Sequence, residues 1–197
     1  MIVHEPEILA QALKGNTEAF TSLVEAYQIP VYNLCYRMLG EAAEAEDAAQ
    51  ETFLRAYLNL KKYDQKRSFS TWLLSISANY CIDQIRKRRI SYISLDGSPD
   101  EYLADQAPGP EASVNIQEDQ ARMQALLSRL GAQDRAAVVM FYWYDFSYEE
   151  IASMLSLTVS AVKSRLHRAR LDMAQYWAEQ MHTPIIAERS PYGSHAY

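Results

Sequence analysis

"SYEEIASMLSLTVSAVKSRLHRAR", residues 147–170, breaks into two amphipathic helices separated by a turn at 156–158. Ser147 stands at an N-cap position, and Glu150, three residues on, completes a capping box. Ile151, Ala152 and Leu155 form the buried side of the first helix, and Val162 and Leu166 face inward from the second. The small Ala152 lets the two helices cross closely. Lys163, Ser164, His167, Arg168 and Arg170 project outward, with no acidic residue between 159 and 170. This is the pattern of a helix-turn-helix. The N-terminal half of its second helix suits a major groove, where Lys and Arg reach guanine and Ser reaches several base edges. The later cations suit phosphates. His167 fits a base contact and a solvent-facing position equally well.

The chain as a whole is acidic, with a formal charge of -6 over 197 residues. A protein that finds nucleic acid unaided usually carries a basic balance. Here the charge is segregated instead. Residues 41–51 hold five acids (Glu41, Glu44, Glu46, Asp47, Glu51) and no base, and residues 91–120 hold seven acids and no base. The cations gather at 61–67, 86–89 and 163–170. Blocks of like charge on one chain point to several distinct partner surfaces, or simply to solvated faces.

Upstream, helical periodicity dominates residues 6–89. Phe20, Leu23, Val24, Tyr27, Val31, Leu34, Cys35 and Met38 recur at three- and four-residue steps. Pro30 either starts a new helix or kinks the old one, and Gly40 reads as a helix stop. The next helix, "AEDAAQETFLRAYLNL" (45–60), carries a stripe of Ala48, Thr52, Leu54/Arg55 and Leu58. "KKYDQKRSFS" (61–70) reads as a polar loop, with Ser70 as N-cap of the following helix. Only six glycines and seven prolines punctuate the chain, which favours helices over a turn-rich sandwich. Three of those prolines and two of the glycines fall within 91–115, an acidic stretch with no sustained period. It reads as an extended linker.

The expected fold class is therefore all-α. Two small helical domains, 1–90 and 117–181, are joined by a flexible acidic linker, 91–116, and followed by a disordered tail, 182–197. The two cysteines, Cys35 and Cys81, have no metal-like spacing and suit a reducing compartment. No apolar run approaches the roughly 20 residues of a bilayer span, and the N-terminus lacks a basic segment followed by an apolar one. A cytoplasmic protein with no membrane insertion is expected.

In "FSTWLLSISANYCIDQIRKRR" (69–89), steps of about 100° per residue place Trp72, Ser75, Ile76, Asn79, Asp83 and Arg86 on one side. Leu74, Ala78, Cys81 and Ile85 fall on the other. The first side offers an aromatic platform for an unpaired base, an amide for a base edge and cations for phosphates. A tryptophan at a helix start equally serves as a core anchor, and composition does not decide between the two.

Three segments now combine: "NLCYRMLGEAAEAEDAAQETFLRAY" (33–57), "FSTWLLSISANYCIDQIRK" (69–87) and the helix-turn-helix. Together and in this order they resemble the extracytoplasmic-function (ECF) sigma factors of bacterial RNA polymerase, over residues 10–178. The resemblance implies a sigma region 2-like bundle and a region 4-like helix-turn-helix. It implies that Asp47, Gln50, Glu51 and Phe53 dock on core RNA polymerase. The loop Lys66, Arg67, Ser68, Phe69 and Ser70, with Trp72 and Asn79, would melt the minus-ten promoter element and capture a flipped base. Arg86, Lys87, Arg88 and Arg89 would hold the adjacent backbone. Ser160, Lys163, Ser164, Arg165, His167, Arg168 and Arg170 would read the minus-thirty-five element. It also implies an anti-sigma factor as a partner, and no cofactor. The element names put their centres about 25 base pairs apart, roughly 85 Å at about 3.4 Å per pair. Residues 91–118, extended at roughly 3.1 Å each, reach a similar span.

Two positions depart from the family pattern. Gly131 stands where a proline is usual, and Ala161 where a threonine is frequent at the start of the recognition helix. No glycine-rich phosphate loop and no placed nucleophile is visible in the sequence, and the four histidines are scattered. An enzyme is therefore not expected. The competing reading is a stand-alone helix-turn-helix regulator with a helical sensor domain, whose ligand pocket "VVMFYWY" (138–144) could line.

Overall fold

The computed structural model describes residues 5–96 and 114–182, with side chains for 5–90 and 118–179. Among these residues every regular element is helical. A first block contains α1 (Glu5–Leu13), α2 (Thr17–Leu39), α3 (Ala42–Asn59), a 3-10 turn (Leu60–Lys62) and α4 (Phe69–Asp96). A second contains α5 (Val114–Arg129), α6 (Ala132–Tyr144), α7 (Tyr148–Leu155) and α8 (Val159–His182).

Helix α2 begins at Asn16, whose side chain accepts the Ala19 N–H at 3.1 Å. It ends at Gly40, where φ is 88° and the N–H returns to Tyr36 O. That left-handed conformation is one glycine adopts without penalty. Pro30 neither ends nor restarts the chain's course: one helix of 23 residues runs through it. Its inward face (Leu23, Val31, Leu34, Cys35, Met38) is the stripe read from the sequence.

Helix α3 differs from expectation. Its buried face is Ala45, Ala48, Ala49, Thr52 and Ala56, while Leu54 and Leu58 are 53% and 69% exposed. The seam where α2 and α4 meet α3 is lined by small groups. Thr52 Oγ1 turns back to Ala48 O at 2.7 Å, and Cys35 Sγ lies 3.1 Å from Ser77 Oγ. Methyl-sized side chains fit a seam that close, and the leucines are left on the outer side.

The start of α4 is also corrected. Ser68, not Ser70, is the N-cap: its Oγ accepts the Thr71 N–H at 3.1 Å, and its carbonyl takes the Trp72 N–H. Phe69 is drawn into the core, 1% exposed, and occupies the first helical position, so the cap falls at Ser68, two residues before the expected Ser70. The expected polar loop before it holds the 3-10 turn and a buried Tyr63. Downstream, α4 continues to Asp96, past the expected linker start at 91, since the first breakers are Gly97 and Pro99. Helix α5 begins at Val114, before the expected 117 and after the last upstream proline, Pro110. The centre of the linker and the tail beyond His182 lie outside the described residues.

The blocks are docked. Helix α4 packs on α6 and α7, and α2 packs on α5 and α6. Buried apolar side chains from Ala12 to Ala169 form one continuous cluster. Crossing it, Tyr144 Oη donates to Pro30 O at 2.5 Å, and the Arg37 guanidinium lies 5.1 Å from the Trp143 ring centre.

Candidate nucleic-acid interface

The loop ahead of α4 is built by local hydrogen bonds. Asp64 Oδ1 accepts the Lys66 N–H at 3.0 Å, its carbonyl takes the Arg67 N–H, and Tyr63 Oη donates to Arg67 O. Burial, then the charges of Glu5 and Asp64, raise the Tyr63 pKa above the usual phenol value, so it stays a donor. This turn leaves Lys66, Arg67 and Ser68 exposed in a row. Ser68 Oγ also meets Ser70 Oγ and Thr71 Oγ1, at 3.0 and 2.6 Å. Phe69 is not available to a ligand. It packs edge-on to Tyr27 and Tyr63, at 5.4 and 5.8 Å between ring centres. Trp72 leans on Tyr63 and Phe69, at 5.1 and 5.7 Å, as a core anchor would, yet remains partly exposed.

One turn and more along the same face, Asn79 is exposed and donates to Ser75 O at 2.8 Å. Farther on, Arg86, Lys87 and Arg89 are exposed, Arg86 only loosely paired with Asp83 at 3.9 Å. Arg88 departs from the expectation. Its guanidinium pairs with Glu44 of α3 and reaches Leu39 O at the end of α2. It ties three helices together rather than facing outward.

On α3, Asp47 and Gln50 are exposed, and Glu51 and Phe53 are half-buried. Glu51 holds Arg55 at 2.7 Å, and Arg55 lies 4.7 Å from the centre of the Tyr80 ring. Leu54, Tyr57 and Leu58 continue the exposed Asp47–Gln50 face, giving an acidic start and an apolar end.

In the second block the Ser147–Glu150 capping box is present in both directions. Ser156 takes the left-handed conformation at φ 54° and closes α7, and Thr158 Oγ1 caps α8 through the Ala161 N–H at 3.1 Å. Ala161 therefore lies inside a capped first turn whose hydroxyl comes from Thr158. On α8, Ser160, Lys163, Ser164, His167, Arg168 and Arg170 are exposed together. Lys163 Nζ lies 5.4 Å from the Tyr148 ring centre, and Arg170 Nε bonds Leu166 O. Arg165 does not join them. It is 24% exposed and bonds Asp134 of α6 at 2.6 Å. Arg168 is 60% exposed and only 3.7 Å from the same carboxylate.

Sequence reasoning missed Arg135, Gln124, Asp134 and the outward leucines of α3. Arg135 is buried, yet its guanidinium donates to Met38 O at 2.5 Å and Ser128 O at 2.6 Å. A lone cation on the inward phase of "DRAAVVM" was the available signal. Gly131 caps α6 through its carbonyl, which takes the Arg135 N–H at 2.8 Å.

A loop-and-helix face carrying an aromatic, an amide and cations, beside a helix-turn-helix with an open basic face, is an arrangement of the kind found in DNA-binding proteins. The sigma-70 region 2 family model matches residues 23–90, and the sigma-70 region 4 model matches residues 120–173. The chain is 38% identical over 171 residues to the ECF RNA polymerase sigma factor SigW of Bacillus subtilis (strain 168), covering 82% of this chain and 90% of SigW. It is 34% identical to the ECF RNA polymerase sigma factor SigE of Mycolicibacterium smegmatis, covering 82% of this chain and 62% of that protein. A solved structure of CnrH in complex with the cytosolic domain of CnrY superposes with a TM-score of 0.65 at 26% identity, covering 87% of this chain and 96% of CnrH. The chain belongs to the ECF sigma factors of bacterial RNA polymerase. Membership displaces the reading as a stand-alone regulator. No helix among the described residues is long and apolar enough to cross a membrane.

Proposed function

We propose that this sigma factor works in the cytoplasm by binding alone, without covalent chemistry, and that its labour is divided among three faces. The α3 face (Asp47, Gln50, Leu54, Leu58) docks on core RNA polymerase, its acids matching a basic partner and its leucines supplying apolar area. Lys66, Arg67, Ser68, Trp72 and Asn79 capture the melted minus-ten strand, with Arg86, Lys87 and Arg89 on its phosphates. Ser160, Lys163, Ser164, His167 and Arg168 read the minus-thirty-five duplex. Phe69, Arg88 and Arg165 support these faces from within. The observation that carries the reading is the joint exposure of the helix-turn-helix cations on a capped, acid-free helix face.

A net charge of -6 fits a subunit that relies on polymerase for non-specific DNA affinity, because counterion release then adds little for the free chain. The solved relative CnrH is held by a cytosolic protein domain, which supports an inhibitory protein partner here too. The test is in vitro transcription with purified bacterial core polymerase, with and without this protein, on a library of upstream regions. New initiation at a shared two-element sequence is expected. Transcripts unchanged by adding the protein would overturn the assignment.

A further inference from the structure

The amide nitrogen of Asn79 is already occupied. Its nitrogen carries two hydrogens; one goes to Ser75 O and the other to Met154 O of α7, at 3.0 Å. Met154 lies in the last turn of α7, where the Ser156 and Leu157 N–H groups both return to Ala152 O. Carbonyls at a helix end lack intrahelical donors and form its negative pole. Met154 thus presents Asn79 with an sp2 oxygen acceptor, the chemistry of a base carbonyl. One amide cannot serve both.

What holds Met154 there is the same device at another helix end. Gly40 turns α2 off; its own N–H donates to Tyr36 O, and the carbonyls beyond are left without a helical donor. Gln124 Nε2 donates to Tyr36 O and Arg37 O, both at 3.3 Å, and Arg135 takes Met38 O. Gly40 permits this approach: a Cβ there would meet Gln124 Nε2 at 3.2 Å. Burial, then the charge of Arg88, pushes the Arg135 pKa down to about 10, so it remains a cation at neutral pH. Meanwhile α8 packs on α5, α6 and α7, and α3 on α2, α4 and the 3-10 turn.

We infer that the second block is a built-in competitor for the base-reading amide of the first. The Met154 carbonyl stands in for a base at Asn79, latched by Arg135 and Gln124 on the end of α2. The minus-ten strand enters only when the blocks part, while the outer faces of α3 and α8 stay open to polymerase and to duplex DNA. This rests on the reading of Asn79 as a base contact.

The test uses the full chain with nitroxide labels on Glu25→Cys and Ala174→Cys, both exposed positions; the native Cys35 and Cys81 are fully buried and escape labelling. The unaltered latch should give one narrow, short distance distribution. Arg135→Gln should lengthen and broaden it. Gln124→Ala, which removes only the two hydrogen bonds to α2, should do so without risk to folding. A mixed-sequence single-stranded DNA pool about ten nucleotides long should bind the latch variants about tenfold more tightly, as removal of a masked state requires. Adding Asn79→Ala should abolish that gain. A distribution already broad in the parent chain, or latch variants with unchanged distances or DNA affinity, overturns the inference and leaves the base-reading role standing. Variants that open yet bind the pool equally with and without Asn79 show that the base-reading role itself has failed.

Discussion

Helices α4 and α8 carry the two proposed DNA faces, yet they hold their polar groups in opposite ways. On the first turns of α4 the polar face already has partners: Trp72 leans on two rings, Ser75 bonds the Trp72 carbonyl, and Asn79 bonds Ser75 and Met154. On α8 the outward cations are held loosely, Lys163 against a ring, Arg168 at 3.7 Å from Asp134 and Arg170 on its own helix backbone, while Arg165 is withdrawn entirely. The difference suits the targets proposed for them. A duplex groove is complete before the protein arrives, so its reader can be a fixed convex surface. A flipped base exists only after strands part, so its receptor must exchange an internal partner for an external one.

The strongest way to break that contrast lies at Trp72. Trp72→Ala should lower initiation on duplex promoters roughly five- to hundredfold, following about 1–3 kcal/mol per stacked base. A pre-melted template should restore most of it in single-round transcription. Absence of rescue would place Trp72 in the core rather than at the strand. Next, Leu58→Asp should reduce core-polymerase affinity about tenfold in a fluorescence titration. Its Tm should not move, because the side chain is 69% exposed. A lowered Tm would return Leu58 to the packing role the sequence suggested.

A pair of substitutions on α8 sharpens the comparison. Lys163→Ala should weaken the minus-thirty-five duplex roughly tenfold, within the range for a direct base contact, with polymerase binding unchanged. Arg165→Ala should instead lower the Tm of the protein and leave sequence preference intact, since Arg165 braces α8 against Asp134. Equal effects on promoter preference would refute the division between them. The smallest expected effect is Ser147→Ala. Losing one side of the capping box costs about 1 kcal/mol, a shift of a few degrees in Tm by calorimetry.

What was legible in the sequence was local. Ser147 and Glu150 announce a cap because both partners lie within one turn, and Gly40 announces a stop because few other residues adopt its φ. What was illegible depended on neighbours distant in sequence. Leu54 and Leu58 stand in one helical run with Ala48 and Thr52; only the closeness of α2 and α4 shows that alanines fill the seam. Ser70 read as the cap because nothing local shows that Phe69 is needed in the core, which moves the cap to Ser68. Arg88 and Arg165 share helix runs with cations that do face outward, and differ from them in being half-buried against Glu44 and Asp134. The docking of the blocks, carried by Arg135 and Gln124, had no signature beyond a cation in an apolar run.

Seating α3 on alanines and one threonine makes it stiff. Few rotamers lie beneath it to absorb a push, so a load applied to its outer leucines is passed to α2 and α4 as rigid displacement. Pulling on that helix should therefore tilt the bundle as a body, and the tug of a large partner on one side would be felt at the opposite junction as torque.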